Sequence, residues 1–559
     1  METMKQARLW KYIAFALPLS ILTAACSDSF LERPPMDTLT DGIYYQTDEE
    51  VIMATAPLYN IVWFDFNDKT SFGIGDARAG NMLSNDYDDY YKFAVSATDG
   101  PLLSAYASFY KIIAQSNMVI ENVNRYGTNV TPAVKNHAIA EARFMRGLAY
   151  TYLTSIWKEV PIIYDNLAIL SDTTIRKNTV SSIWEFAIRD FRYAAKNLPT
   201  TPIQPGRLTK YSAEGMLARA FLTHAGIGAG VGSRNQTDLD SAKYYAKDVI
   251  MNSGLTLLQN YSDLFLSTNN NAQSINNETL FALLWLPIRE PWGVNNTFQA
   301  YMAFGPELIG NQGDGWGRAH GASADLVKYY MANQDDIRRK PTFMFNGDRY
   351  PELEYFSDAS VTYTINDVAN IKKYIIGGPD DNGGNGQFMT AYINTYMMRL
   401  AEVYLIYAEA ILGNSSVTSD GEALQYVNAI RTRAGLADLT TVTFMDIFNE
   451  KRIELAMEGR YWHELVRLSY FNMNGADGTL DIISKQDKGP YTIDYVAGTD
   501  NPRQYTVTYP TQDADGVDIT RFFPATEDNF YFPYPDAELV KAPSLRKSAV
   551  DFDFSKLAN

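Results

Sequence analysis

The residue types that most often bind metals or perform catalysis are sparse in this chain. It has 559 residues, of which only four are His and one is Cys, and their spacing forms no zinc site. His463-Glu464 begins like a zinc-protease motif, but Arg467 stands where the second His ligand would be. Two metal ligands therefore do not share one helix face, and we predict no metal centre.

Three other possible chemistries are incompletely supported. The glycine run at 226–232 follows a predicted helix and lacks the Lys-Ser/Thr pair of a phosphate loop, so it favours a hinge. The acidic residues Asp513, Asp515 and Asp518 resemble part of a calcium loop without its late Glu. Paired carboxylates of a glycosidase cannot be recognised among 65 acidic residues without geometry. We predict no cofactor and no catalysis, and a glycosidase stays open as an alternative.

Aromatic residues beside hydrogen-bonding groups on irregular segments are more informative. Sugar rings pack their C–H groups on aromatic faces, while their hydroxyls need amides, carboxylates or guanidinium groups. Three segments have this composition, at 63–66 together with Asp76, Arg78, Asn81 and 87–91, at 292–296 with Tyr301, and at 313–318. From them we predict the ligand-binding residues Asp76, Arg78, Asn81, Tyr90, Trp292, Asn295, Asn296, Asp314, Trp316 and Arg318.

Two tryptophans stand out among these aromatic residues. Glycine neighbours leave the rings of Trp292 and Trp316 with little side-chain cover, and neither segment has helical periodicity. The alternative for each is burial in the core or anchoring of a loop. Trp157, Trp184 and Trp462 lie within helical patterns, and we predict that they belong to the core.

The single cysteine, Cys26, lies where a lipoprotein signal peptide would be cleaved. A basic segment with Lys5, Arg8 and Lys11 precedes an apolar run at 12–22 that is too short to span a bilayer. We predict that residues 1–25 are a signal peptide and that Cys26 carries a lipid anchor with more than one acyl chain. The alternative is a spare thiol beside an ordinary cleavage site.

The composition of the remaining chain indicates a polar body on a lipid tether. The formal net charge is −17, which argues against a basic surface for nucleic acid or for an anionic membrane. Residues 26–40 are polar, contain Pro34-Pro35 and are predicted to form the tether. No later apolar run is long enough to span a bilayer, and the longest, around 280–287, is predicted to be a buried element.

Paired helices are predicted to form the scaffold. Apolar residues recur at helical spacing over 131–160, 180–198, 209–224, 238–250, 396–412, 421–434 and 444–468, the last interrupted near Gly459. Ser182 and Glu185 have the spacing of a capping box. Small residues at the crossings favour tetratricopeptide-like hairpins. Residues 254–395 and 475–535 are irregular and rich in Asn, Gly and aromatic residues, with a short strand predicted at 505–509.

Several motifs resemble, in order along the chain, those of the SusD/RagB family of nutrient-uptake lipoproteins. Charged residues of these motifs lie on helices that are otherwise patterned for burial, so we expect ion pairs between helices. The matching segments are 26–31 at the predicted acylated end, 141–150 with 160–162, 206–210 with 218–219, 399–405, 407–410, 450–456, 458–462 and 532–535 with Glu538.

This resemblance implies a mainly α, SusD-like fold in which four tetratricopeptide-like hairpins support a loop-rich ligand face with short β elements. It implies an N-terminal helical part at 41–253 and a C-terminal part at 254–559. It further implies a protein lipid-anchored to the outer membrane, facing outward, that delivers an oligosaccharide to a SusC-like TonB-dependent transporter. The alternatives are an oligopeptide ligand, as in the RagB branch, a lipid-anchored glycosidase, or an interaction scaffold.

Overall fold

The computed structural model describes residues 44–170, 172, 174–305, 315–316, 320–353, 363–376, 389–496, 499 and 504–557. The predicted signal peptide, tether and lipidation site at Cys26 lie outside these residues. The described residues are mainly helical with few short strands, which confirms the mainly α prediction. The longer paired helices are α1 (Gly100–Tyr126), α2 (Pro132–Trp157), α3 (Val180–Asn197), α4 (Lys210–His224), α5 (Gln236–Asn252), α6 (Leu400–Leu412), α7 (Gly421–Arg433), α8 (Phe444–Glu454) and α9 (Tyr461–Ser469).

These helices pack on one another largely in sequence order. Helix α1 contacts α2, α2 contacts α3, and the series continues through α4, α5, α6 and α7, with α8 also against α6. Gly147 permits a close crossing of α2 and α3, because a Cβ atom there would lie 3.2 Å from the Ala187 carbonyl oxygen. The predicted helical pairing is thus present, and it continues between α5 and α6 although about 150 residues separate them in sequence.

The chain between α5 and α6 is mostly irregular, as predicted. It contributes the buried strand β2 (Thr279–Leu283), which confirms the predicted buried element and pairs antiparallel with β4 (Thr395–Arg399). The helix predicted from residue 396 begins only at Leu400, because Tyr396 to Arg399 form β4. Helical periodicity in the sequence could not show that a strand distant in sequence would pair with these residues.

Short elements complete the described structure. The other strands are β1 (Met82–Leu83), β3 (Gly321–Ala322), β5 (Val417–Thr418), β6 (Val442–Thr443), β7 (Thr492–Tyr495) and β8 (Tyr505–Thr508), paired β1 with β3, β5 with β6 and β7 with β8. Strand β8 confirms the strand predicted at 505–509. The other described α-helices span Asp48–Ala54, Phe64–Asn67, Thr70–Phe72, Asp88–Tyr91, Phe298–Met302, Ala324–Asn333, Asp336–Thr342, Thr479–Lys485, Glu527–Phe530 and Asp536–Lys541.

Two local predictions for helix ends have different outcomes. The interruption near Gly459 is confirmed: this residue has a φ of +70° between α8 and α9, a conformation that favours glycine. The predicted capping box at Ser182 is wrong. The cap of α3 is Thr179, whose hydroxyl accepts a hydrogen bond from the Ser182 backbone N–H at 3.3 Å.

The motif charges form buried ion pairs, as expected. The Arg146 guanidinium donates two hydrogen bonds of 2.8 Å to Asp190, linking α2 to α3. Arg399 lies at the end of β4 and contacts three buried carboxylates, those of Glu278, Glu454 and Glu458. These pairs connect the irregular chain to the helical scaffold, because Glu278 precedes β2 whereas Glu454 ends α8.

Candidate ligand-binding face

Trp292 lies on the surface with 44% of its area exposed. Its ring packs in a T-shaped arrangement on Phe64, with 5.3 Å between ring centroids. The adjacent Gly293 has a φ of +104°, and a Cβ atom there would lie 3.4 Å from Ile61. The loop therefore turns closely over the segment that holds Phe64, which supports one part of the indole and leaves the rest in solvent.

Trp316 is also exposed, at 54% of its area. Its backbone N–H donates to the Ala300 carbonyl oxygen at 2.8 Å, and its ring packs in a T-shaped arrangement on Tyr301 at 5.6 Å. Burial raises the pKa of Tyr301 to about 12, so its hydroxyl remains protonated and can donate a hydrogen bond. Tyr301 lies in the short helix Phe298–Met302.

One segment, residues 64–69, connects the two tryptophans. Phe64 at its start contacts Trp292, and the exposed Lys69 at its end lies with its Nζ atom 5.4 Å from the Tyr301 ring centroid. The Thr297 hydroxyl donates to the Asp68 carboxylate at 2.5 Å, which fixes this segment to the chain that carries Tyr301. Phe64 begins the short helix Phe64–Asn67 and Lys69 follows that helix, so one short segment contacts both Trp292 and Tyr301.

We call Phe64, Lys69, Trp292, Tyr301 and Trp316 the tryptophan face. The exposure predicted for the two tryptophans is confirmed, although exposure does not by itself identify a ligand. Trp157, Trp184 and Trp462 are buried, as predicted for core residues. Phe64 and Tyr301 lay within the segments selected from sequence, whereas Lys69 had no local sequence signal and is identified only by its position over the Tyr301 ring.

The structure corrects the prediction for Asn295 and Asn296, because both side chains are buried. The Asn295 amide donates to the Met389 carbonyl oxygen at 2.9 Å, and the Asn296 amide donates to the Ile393 carbonyl oxygen at 2.8 Å. Both Asn side chains thus satisfy backbone groups of the chain that precedes β4. They hold the Trp292 loop in place and offer no hydrogen-bonding surface to a ligand.

Asp76, Arg78, Asn81 and Tyr90 are also buried, contrary to their predicted place on a ligand face. The Asp76 carboxylate accepts hydrogen bonds from the Met457 and Gly459 backbone N–H groups, and burial raises its pKa to about 6. It thus secures the turn between α8 and α9. The sequence could not reveal this role, because residues 76 and 459 are far apart along the chain.

The other three of these residues have similar internal partners. The Arg78 guanidinium lies 4.1 Å from the Phe93 ring centroid and donates to backbone carbonyl oxygens, and burial lowers its pKa to about 9. The Asn81 side-chain oxygen accepts from Arg452 at 2.8 Å. The Tyr90 hydroxyl donates to Asp99 at 2.8 Å. Their roles are structural, and the remaining predicted residues, Asp314 and Arg318, lie outside the described residues.

Two other features are absent from the described part of the chain. No group of three or more His, Cys, Asp or Glu side chains in it is arranged to hold a metal ion. No helix in it combines the length and the apolar character that crossing a bilayer requires. The tryptophan face is consequently the arrangement on which we base a function.

Two family models match this chain. Residues 54–222 match a model described as "Starch-binding associating with outer membrane", and residues 239–549 match the model of the SusD family. A SusD-like protein of Bacteroides ovatus is 37% identical over 554 residues, which cover 96% of this chain and 97% of the relative. The starch-binding protein SusD of Bacteroides thetaiotaomicron is 24% identical over 419 residues, which cover 65% of this chain and 72% of that protein.

Solved structures agree with these matches. A crystal structure with xylogluco-oligosaccharide is 34% identical in sequence, covers 90% of this chain and 99% of its own, and superposes with a TM-score of 0.81. Together with a family model that matches more than half of the chain, these relatives show that the chain belongs to the SusD family.

Proposed function

We propose that this chain captures an oligosaccharide on the tryptophan face without chemically changing it. The observation that carries this proposal is the pair of exposed indoles, each supported by a second aromatic ring. Exposing large apolar side chains to water costs free energy, and exposed apolar surface commonly marks a binding site. Trp292 and Trp316 meet this description because Phe64 and Tyr301 hold their rings in place while about half of each remains open.

A saccharide suits this surface better than a purely apolar ligand. Its C–H groups can cover an indole ring, while its hydroxyls can bond the Tyr301 hydroxyl and the Lys69 ammonium group. The 34% identical structure that holds xylogluco-oligosaccharide supports this ligand class. We infer that a neutral glucan or a branched glucan is a suitable first ligand to test.

The cellular setting is part of the same proposal. Lipidation at Cys26 would fix the chain to the outer membrane, and the family model matched by residues 54–222 supports association with that membrane. The ligand would then pass to a SusC-like TonB-dependent transporter, as the family resemblance implies. In this arrangement the protein faces the outside of the cell and concentrates ligand above the transporter pore.

A binding panel tests the proposal directly. The chain without residues 1–25 would be titrated with xyloglucan, starch and laminarin oligosaccharides and with a mixture of oligopeptides, and the products would be examined for cleavage. We expect saturable binding of at least one saccharide with no hydrolysis. Binding of peptides alone would favour the RagB-like alternative, hydrolysis would favour a glycosidase, and absence of any binding would favour a scaffold.

A further inference from the structure

A small cavity of about 20 Å³ lies where α2, α4 and α9 meet, away from the tryptophan face. A cavity of this size has room for a single water molecule or a small ion. It is lined mainly by polar side chains, and three of them are arginines. Its lining includes Tyr152 of α2, Arg219 of α4, Arg460 and His463 near the start of α9, and Glu464 and Arg467 within α9.

The buried charges around this cavity do not balance. One group of ion pairs joins Glu402 to two cations, Arg219 and Arg460. A second group of ion pairs joins two carboxylates to three cations. Both groups reach the cavity wall. Among the described residues the three carboxylates are Glu402, Glu409 and Glu464, and the five cations are Arg219, Arg234, Lys451, Arg460 and Arg467.

A second buried network in the same molecule provides a comparison. Around Arg399, the ion pairs join equal numbers of cations and carboxylates, so no charge remains uncompensated. Its members are Arg338, Lys373, Arg399, Arg431 and Arg433 with Glu278, Asp335, Glu450, Glu454 and Glu458. An uncompensated buried charge is costly, which makes the excess of two cations near the cavity a feature that requires explanation.

Two donors at the cavity also lack acceptors. Arg460 is more than nine-tenths buried, and no atom of the described residues accepts a hydrogen bond from its Nε–H group. Its ion pair with Glu402 is long, at 3.7 Å. The Nε2 atom of His463 is likewise buried without a partner among the described residues. Burial, with Arg460 and Arg219 nearby, lowers the pKa of His463 well below its usual value, so this ring adds no charge of its own.

We propose that this cavity binds a single small monovalent anion, such as chloride, through the Nε–H group of Arg460 and the ring N–H group of His463. The anion compensates part of the excess positive charge of the two groups of ion pairs around the cavity. The site lies where residues of α2, α4 and α9, which are separated in sequence, line one cavity. This site is independent of the oligosaccharide function, because none of its residues belongs to the tryptophan face.

Anomalous diffraction with bromide is the direct test, since bromide replaces chloride and scatters anomalously. Crystals of the chain without residues 1–25, grown in sodium bromide, would be measured at the bromine absorption edge. We expect an anomalous peak in the cavity within hydrogen-bond distance of Arg460 Nε. Electron density for water with no anomalous peak there would overturn the proposal.

Thermal unfolding supplies a second readout in solution. At equal ionic strength, sodium chloride should raise the Tm relative to sodium gluconate, by about 1–2 °C when chloride is roughly twentyfold above its dissociation constant. Arg460→Gln should abolish this difference, whereas Arg125→Gln, at an exposed arginine of α1, should preserve it. An equal chloride effect in the wild type and in Arg460→Gln would contradict the site. If Arg460→Gln does not fold, the bromide measurement on the wild type decides.

Discussion

Removal of the Trp316 indole is the sharpest test of the tryptophan face. A tryptophan presents on the order of 150–250 Å² of burial area, and 54% of Trp316 is exposed, so a ligand can cover roughly 80–130 Å² of it. At about 25 cal/mol per Å², complete coverage contributes roughly 2–3 kcal/mol, and coverage of one ring face about half of that. Trp316→Ala should therefore weaken saccharide binding by roughly 5- to 150-fold.

Calorimetric titration of Trp316→Ala, and separately of Trp292→Ala, would measure this loss with whichever saccharide binds the wild type. Both variants should retain a folded state, because about half of each ring is exposed and its aromatic support, Phe64 or Tyr301, remains in place. Tyr244→Ala is a matched control, since Tyr244 is an exposed aromatic residue on α5, outside the face. It should bind saccharide like the wild type.

Three results would count against this reasoning. If both tryptophan variants bind saccharide with wild-type affinity and unchanged Tm, neither indole is part of the binding site. If both variants melt far below the wild type, the indoles are required for folding and the weaker binding has no bearing on ligand contact. An affinity loss in Tyr244→Ala equal to that of Trp316→Ala would show that the effect is not specific to the tryptophan face.

Four further predictions concern anchoring, partnership and stability. Cys26→Ala should release the protein from membrane fractions or leave it uncleaved, and unchanged fractionation together with no acyl mass on the wild-type N-terminal peptide would contradict lipidation. Mild detergent extraction should co-purify a large TonB-dependent barrel in comparable amount, and its repeated absence while other outer-membrane complexes survive would count against that partner. Arg399→Met should lower the free energy of unfolding by about 3–5 kcal/mol in denaturant titration, because it leaves the buried network with five carboxylates and four cations; a change below about 1 kcal/mol would show that the network relaxes readily. Burial alone would raise the pKa of Glu464, but Arg467 and Lys451 lower it to about 2, so its stabilising contribution is complete above about pH 4.5 and is lost as pH falls towards 2. Glu464→Gln should therefore show a shallower loss of stability over that interval, and a slope identical to that of the wild type would refute the assignment.

Local sequence patterns were sufficient to predict most of the helical scaffold. Apolar periodicity identified α2 to α9, because the buried face of a helix repeats every three to four residues whatever it packs against, whereas α1 was not predicted. The same reasoning correctly assigned Trp184 and Trp462 to the core. Neighbouring glycine indicated the exposure of Trp292 and Trp316, because a residue next to glycine has less adjacent side chain to cover its ring.

The tertiary structure alone decided what the polar residues of the irregular segments do. An Asn or Asp in a loop can face solvent or satisfy backbone groups in the interior, and the local sequence is the same in both cases. Asn296 bonds the chain before β4, and Asp76 bonds the turn at Gly459, so each has partners far away in sequence. Likewise, residues 396–399 have a helical pattern yet form a strand because β2 pairs with them. The sequence by itself determined the helices and the exposed indoles, whose causes are local, whereas contacts between distant segments determined which polar groups are buried and which elements support the tryptophan face.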